Sequence, residues 1–134
     1  MRPWCLGWDL RCGLESPTFV KRRAHGAGVT CIAPSPHDPH VVATGSYDDN
    51  LRVWDVRQTS RPVESAVVGC GGGVWRCRWH PSLRRLACAA MGGGAAVVAW
   101  SGGEDVALAA SSPGGDGGGG RAWQILLTVS WDAI

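Results

Sequence analysis

Neither sign of charge dominates this chain: 13 basic residues face 11 acidic ones among 134, a formal net charge of +2. A near-balanced chain lacks the broad cationic surface that holds nucleic acid or acidic lipid, so neither is expected as a partner. The one local excess is Arg76, Arg78, Arg84 and Arg85, a run without an acid that reads as a solvated rim. No signal-type apolar core follows Met1-Arg2-Pro3-Trp4. The uncharged stretch from Leu86 to Gly103 is broken by Gly92-Gly93-Gly94 and falls short of the ~20 strongly apolar residues of a membrane span. A cytoplasmic location is expected. Metal spacing is lacking as well. Cys77-Arg-Trp-His80 has Cys70 and Cys88 around it, but no second close pair, so no metal and no cofactor is expected. The six cysteines (Cys5, Cys12, Cys31, Cys70, Cys77, Cys88) read as reduced thiols at small apolar strand positions.

What the chain does contain is centred on residues 45 to 57, Gly-Ser-Tyr-Asp-Asp-Asn-Leu-Arg-Val-Trp-Asp-Val-Arg. A Gly/Asp-rich turn is followed by polar and apolar residues in alternation, ending in Trp54-Asp55, with His25 lying 29 positions before the tryptophan (54 minus 25). This is the pattern of one WD-type propeller blade. Pro17 and Pro62, Gly28 and Gly73, Val29 and Val74, and Pro36 and Pro81 each stand 45 apart, and Trp8 and Trp54 stand 46 apart. The spacing predicts an all-β chain of WD-repeat blades, about two to three of them. A ring takes about four to eight blades of ~40–45 residues, so it is not expected to close within 134 residues.

The expected organisation is the end of a truncated blade at 1–24, without strand alternation in residues 1 to 7, and a complete blade at 25–68. A partial, degenerate blade follows at 69–102, in which Met91-Gly92-Gly93-Gly94 replaces the acceptor-rich Ser46-Tyr47-Asp48-Asp49. A Gly/Ser-rich linker at 103–121 and an unassigned apolar tail at 122–134 complete the chain. Strands are predicted at Pro17 to Arg22, Val29 to Ala33, Val41 to Ser46, Asn50 to Asp55, Pro62 to Val68, Val74 to Trp79, Leu86 to Ala90 and Ala95 to Trp100.

Four residues of the complete blade, Asp48, His25, Ser46 and Trp54, can close a hydrogen-bond chain: the indole donates, the hydroxyl and imidazole pass bonds on, and the carboxylate accepts. A hydrolase triad of Ser46, His25 and Asp48 is the competing reading. The scaffold reading is favoured: the tryptophan completes the set, and the chain has no Gly-x-Ser-x-Gly elbow. His37, His40 and His80 fall in equivalent loops of two blades and read as solvated rim residues. Trp8-Asp9-Leu10-Arg11 and Trp54-Asp55-Val56-Arg57 repeat one motif, in which Arg11 and Arg57 resemble the docking box of WD-repeat receptors for the adaptor of cullin-RING ubiquitin ligases.

A narrower resemblance rests on Ala43-Thr44-Gly45-Ser46-Tyr47-Asp48, Leu51 to Arg57, and Gly72-Gly73-Val74-Trp75-Arg76-Cys77-Arg78-Trp79-His80-Pro81. From about Trp8 to Val98 the chain resembles the eukaryotic diphthine methyl ester hydrolases, WD-repeat proteins of diphthamide biosynthesis. The resemblance implies a protein substrate, translation elongation factor 2, and removal of a methyl group from the diphthine ester on its histidine. It carries over no catalytic residue, and none is assigned. Measured against that family, the chain looks like a fragment or variant, expected to be inactive alone. The alternative is a non-catalytic WD-repeat scaffold or ubiquitin-ligase substrate receptor.

Overall fold

The computed structural model describes residues 4–58, 60–101 and 106–112. Every regular element in them is a strand: β1 (Trp4–Gly7), β2 (Phe19–Arg22), β3 (Val29–Pro34), β4 (Val41–Ser46), β5 (Asn50–Asp55), β6 (Val63–Gly69), β7 (Val74–Trp79), β8 (Arg85–Ala90), β9 (Gly94–Trp100) and β10 (Val106–Ser112). They form a two-stranded sheet β1-β2 and two four-stranded antiparallel meanders, β3-β4-β5-β6 and β7-β8-β9-β10. These meanders are the blades. Short Gly-, Asp- and Pro-bearing connections are what an up-and-down sheet requires.

The repeat read from the sequence survives in the backbone. Strands β3 and β7 start 45 positions apart (74 minus 29), and each meets its partner across a bulge at the same place, between Val29 and Cys31 in one blade and between Val74 and Arg76 in the other. The bulged residue is thus Thr30 in the first and Trp75 in the second. Its extra residue twists the inner strand and re-aims its side chain.

Two expectations need correction. Residues 1 to 7 do contain a strand: Trp4–Gly7 pairs with Phe19–Arg22, and the short hydrophobic run was too brief to show alternation. The pattern also does not stop at Gly102. Val106–Ser112 lies inside the stretch expected to be linker, yet it pairs with β9 across a bulge and gives the second sheet its fourth strand. Its Ala/Ser composition hides it, since small residues carry little periodic signal. The glycine run beyond it and the tail at 122–134 lie outside the described residues. The uncharged stretch from Leu86 forms β8 and β9.

One apolar cluster joins the two blades face to face: Ala43, Leu51 and Val68 of the first pack with Val74, Leu86 and Val98 of the second. Alternation supplies them, because Leu86, Cys88 and Ala90 on β8 and Ala96, Val98 and Trp100 on β9 all lie on buried faces. Gly45 makes the approach possible. A Cβ there would come within 2.5 Å of Val74 Cγ1 and 2.7 Å of the Cys31 sulfur.

Two glycines at the second blade's turn, Gly93 within it and Gly72 on the segment facing it, have their own role. A Cβ on Gly72 would stand 2.0 Å from the Met91 carbonyl oxygen, and one on Gly93 would stand 2.4 Å from that of Cys70. Two backbones therefore cross at contact distance, and the Met91 amide donates to Gly73 O at 2.8 Å. The first blade has the same main-chain bond, from the Tyr47 amide to Gly28 O at 3.0 Å, and adds side-chain bonds from Ser46 and Asp48.

Candidate functional site

The polar set around His25 is built by two strands and two connections. His25 enters on the loop after β2, Thr44 sits on β4, Trp54 on β5, and Asp48 in the turn between those strands. The Trp54 indole donates to Thr44 Oγ1 at 2.8 Å, and Thr44 Oγ1 stands 2.7 Å from His25 Nε2. His25 Nδ1 lies 3.1 Å from Asp48 Oδ2. With the imidazole proton on Nδ1, every group is used in one direction: indole to hydroxyl, hydroxyl to Nε2, Nδ1 to carboxylate.

The hydroxyl is that of Thr44, not of Ser46 as expected. Both residues are on β4 two positions apart, hence on one face, and strand periodicity does not tell them apart. Register does: Val42 is the partner of Trp54 and Thr44 that of Arg52, which puts Thr44 diagonally beside the indole. Ser46 closes the turn instead, donating to Ala27 O at 3.1 Å and accepting from the Asp48 amide at 3.1 Å.

Asp48 is the hub. Its carboxylate accepts from the Gly26 amide at 2.7 Å, the Asn50 amide at 3.1 Å and Arg52 Nη1 at 2.9 Å. Burial alone would raise its pKa, but the Gly26 amide, His25 and the Asn50 amide outweigh burial and hold it down at about 2. Burial pushes His25 the other way, below its ordinary value, against the pull of Asp48. Arg52 went unnoticed in the sequence. It bridges Asp48 to Glu64 Oε2, 2.9 Å from its Nε, and so ties the turn to the outer strand. Its place two residues before the tryptophan, beside an acid turn, was the available signal.

Hydroxyl, imidazole and carboxylate within hydrogen-bond reach satisfy the distances of a hydrolase triad. Access decides against that chemistry. Thr44 is 4% and His25 3% exposed, and the Thr44 oxygen is already committed to the indole. A nucleophile so enclosed meets no substrate; the set is scaffold.

The rim histidines are more engaged than a solvated reading implies. His37 Nε2 donates to the His80 carbonyl at 2.9 Å and links two blades, while His80 Nδ1 accepts from the amides of Ser82 at 3.0 Å and Leu83 at 2.9 Å. Trp79 adds a further link, its indole donating to Ala33 O at 3.0 Å.

The repeated Trp-Asp-x-Arg motif has a local cause. Asp9 accepts from the Arg11 amide at 3.0 Å, and Asp55 accepts from the Arg57 amide at 2.8 Å, the same turn at the end of two blades. Arg11 folds back on Asp9, with Nη2 2.6 Å from Oδ2. Its guanidinium holds the Asp9 carboxyl at about 2. Arg57 reaches Asp38 at 3.4 Å and Asp55 at 3.5 Å. Both arginines remain exposed, at 87% and 63% of their side chains.

Two grooves flank this framework. An apolar one of about 410 Å³ separates the β1-β2 sheet from the first blade and is lined by Trp8, Phe19, Ile32, Val42, Trp54 and Pro62. Lys21 crosses it, with Nζ 5.7 Å from the centre of the Trp54 ring. A more polar one of about 500 Å³ runs between β3 and β7 and is lined by Cys31, Tyr47, Trp75, Arg76, Cys77 and Arg78. The cysteines are all free thiols, but only Cys70, Cys77 and Cys88 are buried. Cys5 and Cys31 are partly exposed, and Cys12 is exposed in a turn. Cys70 faces Cys88, Cys77 faces Cys31, and the described residues contain no group of three or more potential metal ligands.

Comparison with known proteins agrees with this architecture. The family described as WD domain, G-beta repeat matches residues 17–55. Over 88 residues, 64% of the chain, it is 47% identical to the diphthine methyltransferase of Mus musculus. Over 84 residues, 63% of the chain, it is 40% identical to that of Homo sapiens. The matched segment spans 18% of each of these two relatives. A chain in the crystal structure of the mitotic checkpoint complex superposes with a TM-score of 0.67 over 81% of this chain and 33% of its own, at 22% identity, a likeness of fold alone. The chain is therefore made of WD-repeat blades and is similar in sequence to the diphthine methyltransferases, the resemblance its own residues carry.

Proposed function

We propose that this chain is part of a cytoplasmic diphthine methyl ester hydrolase acting on translation elongation factor 2. The similarity to diphthine methyltransferases carries the reading, because it extends over 88 residues at 47% identity and so reaches well beyond the repeat match at 17–55. The reaction adds water across the ester and releases the carboxylate and methanol. It needs an activated water or nucleophile and donors for the oxyanion. The buried Thr44-His25-Asp48 set does not supply these, so the reading assigns the blades a positioning role. Methanol released from methylated elongation factor 2 by the full-length relative carrying this segment supports it. A methyl ester left intact by mass spectrometry, with no methanol released, overturns it.

A second reading, a substrate receptor docked on a cullin-RING adaptor, is favoured by one observation: Arg11 and Arg57 are exposed at the same turn of a repeated motif. Adaptor captured by the chain and lost on Arg57→Ala supports it; equal capture by both removes it.

A further inference from the structure

The β3–β7 groove contains a pair of thiols that neither reading uses. Cys31 Sγ and Cys77 Sγ stand 3.3 Å apart on the inner strands of the two blades. A disulfide takes ~2.0 Å, so the sulfurs need to close by only about 1.3 Å. The strands are held in that relation independently of the thiols. The Thr30 hydroxyl lies between Gly45 O, at 3.0 Å, and Val74 O, and the Trp79 indole is bonded to Ala33 O. The two residues differ in exposure: Cys31 is partly exposed, whereas Cys77 is 6% exposed. A second pair, Cys70 and Cys88 at 3.4 Å, belongs to two buried residues, 7% and 5% exposed, and provides an internal comparison.

We propose that Cys31 and Cys77 form an oxidation site, which a hydroperoxide converts into a disulfide joining the two blades. The Cys31 thiolate attacks one oxygen of the peroxide; the S–O bond forms, the O–O bond breaks, and the second oxygen leaves as hydroxide and takes up a proton. The Cys77 sulfur then attacks the sulfur of the resulting sulfenic acid. The S–S bond forms, the S–O bond breaks, and the departing hydroxide takes the Cys77 proton. Two thiols lose two electrons in total, and hydrogen peroxide becomes two waters. Burial pushes the Cys77 thiol up and keeps it protonated, so it does not itself start the reaction with peroxide; its 3.3 Å proximity to Cys31 is what brings it into the second step. Cys31, open to the groove, takes the first.

The test is stoichiometric hydrogen peroxide on the full 134-residue chain, followed by N-ethylmaleimide and peptide mass mapping. The expected product is one crosslinked peptide pair containing Cys31 and Cys77, two hydrogens lighter than the reduced pair and restored by dithiothreitol. Cys70 and Cys88 are expected to react with maleimide only after denaturation. The crosslink closes a loop of 46 positions (77 minus 31), so the denaturant midpoint rises on oxidation and returns on reduction. In Cys77→Ala the reaction stops at the Cys31 sulfenic acid, captured by dimedone. Three results on the unsubstituted chain overturn the proposal: Cys31 carried to sulfinic or sulfonic acid without a crosslink, Cys31 intact while Cys12 is oxidised, or Cys70–Cys88 formed as fast as Cys31–Cys77.

Discussion

Thr44 Oγ1 stands 2.7 Å from His25 Nε2, and this single contact gives the buried imidazole its only hydroxyl partner among the described residues. The same oxygen receives the Trp54 indole. Thr44→Val keeps the shape but leaves both nitrogens without a partner. At about 1–3 kcal/mol for each buried unsatisfied group, the chain is expected to lose about 2–6 kcal/mol in denaturant unfolding. Ser46→Ala is expected to leave the His25 imidazole NMR signals in place, whereas Thr44→Val moves them. The reverse pattern would return the hydroxyl role to Ser46.

Acid should weaken the first blade in two stages. His25 is held below 6.5 and Asp48 at about 2 rather than 3.8, so in both cases the unfolded chain binds protons more readily than the folded one. Their stabilisation is complete above pH 6.5. It begins to fall as the unfolded histidine protonates, and that of Asp48 is lost between about pH 4 and 2. The Asp48 part amounts to about 2 kcal/mol. Unfolding free energy measured from pH 7 to 2 checks the course, and Asp48→Asn should flatten its lower end.

Gly45→Ala places a methyl group against Val74 Cγ1 and the Cys31 sulfur in the interface between blades. Overpacking of this kind costs about 1–3 kcal/mol. Gly69→Ala, where a Cβ meets nothing within 4 Å, is the matched control and should change thermal stability little.

Arg52→Met keeps the aliphatic stem but removes the bridge from Asp48 to Glu64. With the arginine side chain 17% and Asp48 10% exposed, the loss is expected to be about 1–3 kcal/mol, reduced in part by solvent at the half-exposed Glu64. Adding Glu64→Gln should cost little more, since the partner is already gone; a double-mutant cycle reads this directly.

The blades were legible because they repeat. Val41–Ser46, Asn50–Asp55 and Val74–Trp79 fall where alternation puts them, and Asp48, His25 and Trp54 fall in the expected network. What escaped was information that single-chain periodicity does not contain. Choosing Thr44 over Ser46 requires the register between β4 and β5, and a strand of Ala and Ser such as β10 has no apolar contrast. The role of Arg52 depends on Glu64, which the outer strand brings beside it. The thiol pairs depend on contacts 46 and 18 positions apart in the chain.

The hydrogen bonds between neighbouring sheets share a property that bears on how such chains change over time. Thr30 ends on the carbonyl of Val74, His37 on that of His80, Trp79 on that of Ala33, and Lys21 on that of Pro62. A main-chain carbonyl is present whatever residue carries it. Such a bond requires of the next sheet a backbone position and not a particular side chain, and only packing, as at the fully buried Val74, restricts the recipient residue. A blade can exchange an acid-rich turn for three glycines, or fill with alanine, and still be gripped by its neighbour.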